Sequence, residues 1–355
     1  MKKTALFVVM FIACSLFLVF ALDKEQVDAW TALVGEKDLQ IKMQKLDAYY
    51  NKYGAKEDRY SMYMYVHLAQ TTYLLQQYEK TIQFGEKALT YKEIDASNKL
   101  PLYLYLANSY NLTKKDLDKA YDYAEQIIVL SNSLRSESQS NSAIDISYTA
   151  PALRIQVQLL AVKAQDPQNA LNALNKSIEA YKLDKSDKSA FFVMKMSEHL
   201  RKSEKVEDAI RGIEAVNQDK PTADNFNMLG KMYNQVKNMP KAIENFKASY
   251  GLKKNAQVAY NLGILLNQNQ ELDAAIEFLA ESYLLNEKSG AAAPETETPA
   301  QDPAAAGQET RSPAQKLLEH LVFFETTKGQ PQADQLKFYN EVLAAAKARL
   351  GITLP

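Results

Sequence analysis

The rare reactive side chains of this 355-residue chain are one Cys and three His. A single Cys, Cys14, can form neither an internal disulfide framework nor a Cys-based zinc site. His67, His199 and His320 lie on three stretches far apart in sequence. No nucleophile elbow, Walker A loop, dinucleotide Gly fingerprint or zincin helix accompanies them. The expectation is a chain with no catalytic residue, no metal and no cofactor. Tyrosine usage is the unusual feature: of 21 Tyr, 15 precede residue 151. Tyr beside Asn suits recognition of an extended peptide, because Tyr adds contact area at low entropy cost and Asn can bond backbone groups. Tyr can equally replace Phe in packing, and both uses stay open for these residues.

Composition narrows the setting. The 42 basic and 43 acidic residues give a net charge of −1, which argues against a nucleic-acid partner. Hydrophobic residues at 46% and charged residues at 24% fit a folded, soluble body. Eleven Gly and eleven Pro are too few for a turn-dense all-β fold. The length exceeds one typical core, so two or three domains or one elongated array is expected.

Residues 1–22 read as a targeting segment. Lys2 and Lys3 precede an apolar run from Ala5 to Leu22, and charge resumes at Asp23. Three fates fit this pattern: a signal peptide cut after Ala21, an uncleaved anchor, or lipidation at Cys14 in a lipobox-like Phe11-Ile12-Ala13-Cys14. The 18-residue run is just long enough to span a bilayer. Each fate puts the body outside the cytoplasm, in the periplasm or cell envelope, because the N-terminal lysines stay inside. Membrane contact is then confined to residues 1–22.

A repeat organises the middle. Leu229-Gly230 with Tyr233 and Leu262-Gly263 with Leu266 recur 33 residues apart, each followed by an Ala-Ile pair, Ala242-Ile243 and Ala275-Ile276. Ala209-Ile210 lies another 33 residues back. Weaker copies carry Leu68-Ala69, then Leu106-Ala107 with Tyr110, then Ala161 with Ala170-Leu171. Small residues let two helices approach, and larger ones at i, i+3, i+4 and i+7 fill the seam. These segments resemble the tetratricopeptide repeat (TPR). The resemblance implies an all-α, right-handed superhelical solenoid of helix-turn-helix units. The expected boundaries are capping helices at 23–61, about six repeats over 62–286, a disordered Ala/Pro-rich linker at 287–313 and a C-terminal helical hairpin at 314–355. The Ser-rich stretch 131–142 is expected to be a long loop. In a solenoid the three His cannot converge.

The resemblance also implies a concave groove lined by the first helix of each repeat. Its candidate residues are Tyr63, Gln70, Tyr73, Asn108 and Asn111, then Glu198, Arg201, Asn227, Lys231, Asn234, Tyr260 and Asn267. Tyr65 and Tyr110 are expected to be buried instead. Chaperone-binding relatives carry a Lys and an Asn four residues apart, and neither Leu104 with Asn108 nor Asn227 with Lys231 matches. The expected function is a non-catalytic scaffold, exported and of bacterial type, that binds a protein or peptide in that groove. A membrane-anchored envelope-assembly or secretion factor is the alternative. A glycan-binding protein or enzyme would need a carboxylate pair facing the tyrosines, for which the sequence gives no basis.

Overall fold

The computed structural model describes residues 24–55, 57, 58, 60–137, 142–289 and 311–352. The leader and most of the linker therefore lie outside the described residues, which form helices joined by turns and short irregular segments and contain no strand. Among them no helix is long and apolar enough to cross a membrane. The chain divides into two compact units, Met1–Phe192 and Val193–Pro355.

The first unit opens with α1 (Lys24–Val34) and α2 (Leu39–Tyr53). The Asp38 carboxylate caps α2 by accepting from the amides of Gln40 and Ile41. Three helix pairs follow: α3 (Ser61–Leu74) with α4 (Tyr78–Leu89), α5 (Ala96–Thr113) with α6 (Leu117–Glu137), and α7 (Ala150–Val162) with α8 (Pro167–Asp184). A short turn, Ser142–Ile144, and a π-helical stretch, Asp145–Thr149, lead into α7. Helix α9 (Asp187–Lys202) begins in this unit and ends in the next. The first helices pack side by side, α3 on α5 and α5 on α7.

The second unit continues with α10 (Val206–Asn217), then the pairs α11 (Ala223–Gln235) with α12 (Met239–Leu252) and α13 (Ala256–Gln268) with α14 (Leu272–Ser289). Helix α10 shows why these segments are helices. Val206, Ala209, Ile210, Ile213 and Val216 form a 3.6-periodic stripe, and all five are buried. Thr222, Asn238 and Asn255 cap α11, α12 and α13 with side-chain oxygens. The turn after a first helix is stereotyped at five places, though not between α7 and α8. Gln76, Lys114, Glu204, Lys237 and Gln270 each sit two or three residues past a first helix or end it, with φ between 57° and 64°.

The small residues that marked the repeat are buried at Ala69, Ala107, Ala170, Ala209, Gly230, Ala242, Gly263 and Ala275, with Leu68, Leu106, Leu229, Tyr233 and Leu262 beside them, whereas Ala161 is only half-buried. A Cβ on Gly230 would lie 2.8 Å from the Phe246 ring, and one on Gly263 would lie 2.7 Å from Leu279 Cγ. In these two pairs the second helix thus rests on the bare backbone of the first.

Two expectations need correction. The Ser-rich stretch is not a loop through residue 137, because α6 continues to Glu137 with Ser131 fully buried. Residues 138–141 lie outside the described residues. The linker also begins later than residue 287, since α14 runs to Ser289. At the other end, α15 (Pro313–His320), a π-helical stretch Leu321–Thr326 and α16 (Gln332–Leu350) pack on α14. Arg349 Nε donates to the buried Glu281 at 2.6 Å and Arg349 Nη1 lies 3.4 Å from Glu277.

Candidate functional site

The first unit gathers chemistry on the first helices of its repeats. Tyr63 on α3 is exposed. One and two turns further along, His67 and Gln70 are half-buried, with Gln70 beside both His67 and Tyr105. Burial and the nearby Lys42 cation hold His67 below its ordinary value, and its ring packs 5.6 Å from Trp30. Tyr73 is half-buried and stacks on Tyr105 of α5 with ring centroids 4.6 Å apart. Burial raises both hydroxyl pKa values. Tyr73 is therefore partly a seam residue joining α3 to α5, while Tyr65 and Tyr110 are buried outright.

The two asparagines of α5 separate. Asn108 is half-buried; its amide donates to the Leu104 carbonyl at 3.0 Å, which leaves Oδ1 unspent among the described residues. Asn111 is only 5% exposed, which removes it from the exposed recognition surface. Three residues on from Asn108, it has rotated toward α7, where it donates to Gln158 Oε1 at 2.8 Å and accepts from Lys114 Nζ at 3.1 Å.

Beyond Asn108 opens a cavity of about 610 Å³ between α5, α7 and the start of α9. Pro151, Ile155 and Phe191 supply its apolar lining, and Arg154, Gln158 and Lys188 its donors. Arg154 Nη1 is held by Asp184 and by Ser189 Oγ. Asp184 is held below its ordinary value despite burial, because Ser186, Ser189 and Arg154 all stabilise its anion. Arg154 Nε and Nη2, Gln158 Nε2 and Lys188 Nζ have no hydrogen-bond partner among the described residues. These donors line the cavity beside the Asp187 carboxylate and Asn108, over an apolar floor. Sequence reasoning missed Tyr105, Arg154, Gln158 and Phe191. The available signal was register: each sits one repeat on from a position already singled out, or opens the next first helix.

The candidates of the second unit are more self-satisfied. Glu198 takes both Nε and Nη2 of Arg201 at 2.8 and 2.9 Å, with Lys202 at 3.5 Å, all on one face of α9. Lys231 and Asn234 are exposed, while Asn227, Tyr260 and Asn267 are half-buried. Asn227 Oδ1 is buried without a partner among the described residues. His199 is half-buried and His320 exposed, stacked on Phe324. No group of three or more metal-capable side chains occurs among the described residues.

No protein-family model and no curated protein sequence matches this chain. Several solved structures resemble it. A MamA crystal structure is 16% identical, covers 53% of this chain and 95% of its own, and gives a TM-score of 0.34. A tetratricopeptide repeat protein from Parabacteroides merdae ATCC 43184 is 12% identical over 73% of this chain and 91% of its own, with a TM-score of 0.36. YrrB, a TPR protein with an unusual peptide-binding site, is 18% identical over 63% and 97%, with a TM-score of 0.35. The resemblance in repeat type stands on the 33-residue register of residues 209–275, the repeated left-handed turn and the small residues on the first helices. Both units are built from helical hairpins that resemble the tetratricopeptide repeat.

Proposed function

We propose that this protein is a non-catalytic scaffold that holds a segment of another protein against the first helices of its repeats. The observation that carries this reading is the α5–α7–α9 cavity. Arg154, Gln158 and Lys188 offer donors that the chain leaves unspent, and exposed Phe191 offers an aromatic face. A peptide brings carbonyl acceptors and apolar side chains together, so it satisfies both kinds of surface. Exposed Phe191 costs the free protein little, and its loss should leave folding nearly intact. Crosslinking from residue 191 through a photoreactive side chain, in envelope extract, should label a discrete protein. Phe191→Ala should lower binding of that purified protein about tenfold. Binding that is indifferent to Phe191→Ala and Lys188→Ala would overturn the reading.

The same proposal sets the scaffold outside the cytoplasm, on the strength of Lys2, Lys3 and the apolar run to Leu22. A reporter active only outside the cytoplasm, fused after residue 60, should be active, and should become inactive when residues 1–22 are deleted.

A further inference from the structure

The first helices of the first unit carry a second pattern, in strict register. Ala69, Ala107 and Val157 are fully buried at matching places on α3, α5 and α7. One residue after each stands an amide: Gln70, Asn108 and Gln158. Five residues after each stands an aliphatic side chain left in water: Leu74 at 48%, Leu112 at 54% and Val162 at 69% exposed. Amide and aliphatic are four residues apart, hence on one helix face. A single exposed Leu needs no explanation. Three in register do, because the second unit abandons the pattern. After Ser197, Gly230 and Gly263 it places Glu198, Lys231 and Ile264, then Lys202, Gln235 and Gln268.

Resting on the groove reading above, we infer that the ligand of the first unit is an extended segment with an aliphatic side chain at every third residue and an acidic residue at one end. The helices α3, α5 and α7 pack directly, and packed helices lie about 8–10 Å apart. A segment in the polyproline II conformation advances about 9 Å per three-residue turn, which returns every third side chain to the same face. One aliphatic side chain of the ligand thus meets Leu74, the next Leu112 and the next Val162. The amide row runs parallel to this stripe, one turn away, with Asn108 Oδ1 and Gln158 Nε2 unspent for the ligand backbone. Charge sets the polarity. Past α7 the row ends at Arg154 and Lys188, two cations against the one carboxylate, Asp187, that also lines the cavity, while Asp184 is already engaged by Arg154 and two serines. A carboxylate on the ligand fits that end.

The test uses the full chain and fluorescein-labelled 13-residue peptides of Leu, Ser and Thr with one terminal Glu, read by anisotropy at low salt. Leu at every third residue should bind about tenfold tighter than the same composition with Leu at every second or fourth. Leu112→Ser should remove most of that advantage while the melting temperature stays put. Replacing the Glu by Gln in the peptide, or Lys188→Glu in the protein, should weaken binding about fivefold. Equal affinity at all spacings, or no loss with Leu112→Ser, overturns the inference. If Phe191→Ala then still abolishes binding at every spacing, the groove reading survives and only the ladder falls. If neither Phe191→Ala nor Leu112→Ser changes peptide binding, both fall.

Discussion

At the residue scale, two glycines and two asparagines show how much a single position decides. Gly263 has no room for a side chain beneath Leu279, nor Gly230 beneath Phe246. Gly263→Leu should therefore overpack the seam and cost about 1–3 kcal/mol, read as a lower denaturant midpoint with an unchanged slope. Asn111→Ala should cost about 1 kcal/mol, since the buried Asn111 loses its bonds to Gln158 and Lys114, both of which are exposed and can turn to water. Asn108→Ala, which loses only a bond within its own helix, should shift stability by less than about 0.5 kcal/mol. The glycines were legible in the sequence, because a small residue recurring every 33 positions has few other meanings. The asparagines were not, because three residues of helix rotate a side chain by about 300°, and only the position of α7 says which one it buries. His67 adds a pH dependence. Burial and Lys42 hold it below its ordinary 6.5, so under that value the unfolded chain takes up a proton that the folded chain resists. Stability should fall as pH drops below 6.5, until the folded-state value is passed. His67→Gln should flatten that part of a melting-temperature profile.

At the element scale, successive repeats are joined by the same polar device. The Tyr110 hydroxyl on α5 donates to Glu86 of the preceding repeat at 2.5 Å, and Lys119 on α6 reaches that carboxylate at 2.6 Å. Tyr233 on α11 repeats the arrangement with Glu214 behind it and Lys241 ahead of it, the lysine 3.1 Å from the hydroxyl. Burial works against the charge on Glu86, yet Lys119 and Tyr110 together hold its carboxyl below the usual range. Glu86→Ala should cost about 1–3 kcal/mol, because Tyr110 and Lys119 lose a shared partner. Tyr110→Phe should cost less, as the ring and its packing remain. This explains much of the tyrosine enrichment: many of these rings are seam fillers with a polar tip, and a ring that stacks as Tyr73 does can serve seam and groove at once. The extension of α6 through Ser131 has a related cause. Serine is a mediocre helix former, but Ile127 is fully buried and Leu130 and Leu134 pack against the core, so tertiary burial overrides propensity.

At the scale of the whole molecule, the helical hairpins were readable because their defining residues are periodic. The extent of α14 and the anchoring of the C-terminal hairpin were not, because they depend on a pairing 68 residues apart, between Arg349 and Glu281. Glu281 is buried, receives the Tyr250 hydroxyl and meets the guanidinium from outside. Arg349→Ala should cost about 2 kcal/mol, checked by thermal melting, and should loosen α15 and α16 before the repeats they cover. The five turns with φ near 60° have a different consequence. A side chain with a Cβ pays about 1–2 kcal/mol for that conformation, and here Gln76, Lys114, Glu204, Lys237 and Gln270 all accept it. Glycine would relieve the strain but gain freedom in the unfolded chain, leaving about 0.5–1 kcal/mol of net stabilisation per turn. Because the turns are far apart, their effects should add. Lys114 also donates to Asn111, so the protein carries a graded reserve of stability releasable at the other four turns without touching a seam or a groove residue, and its working temperature can be raised step by step while its recognition surface stays constant.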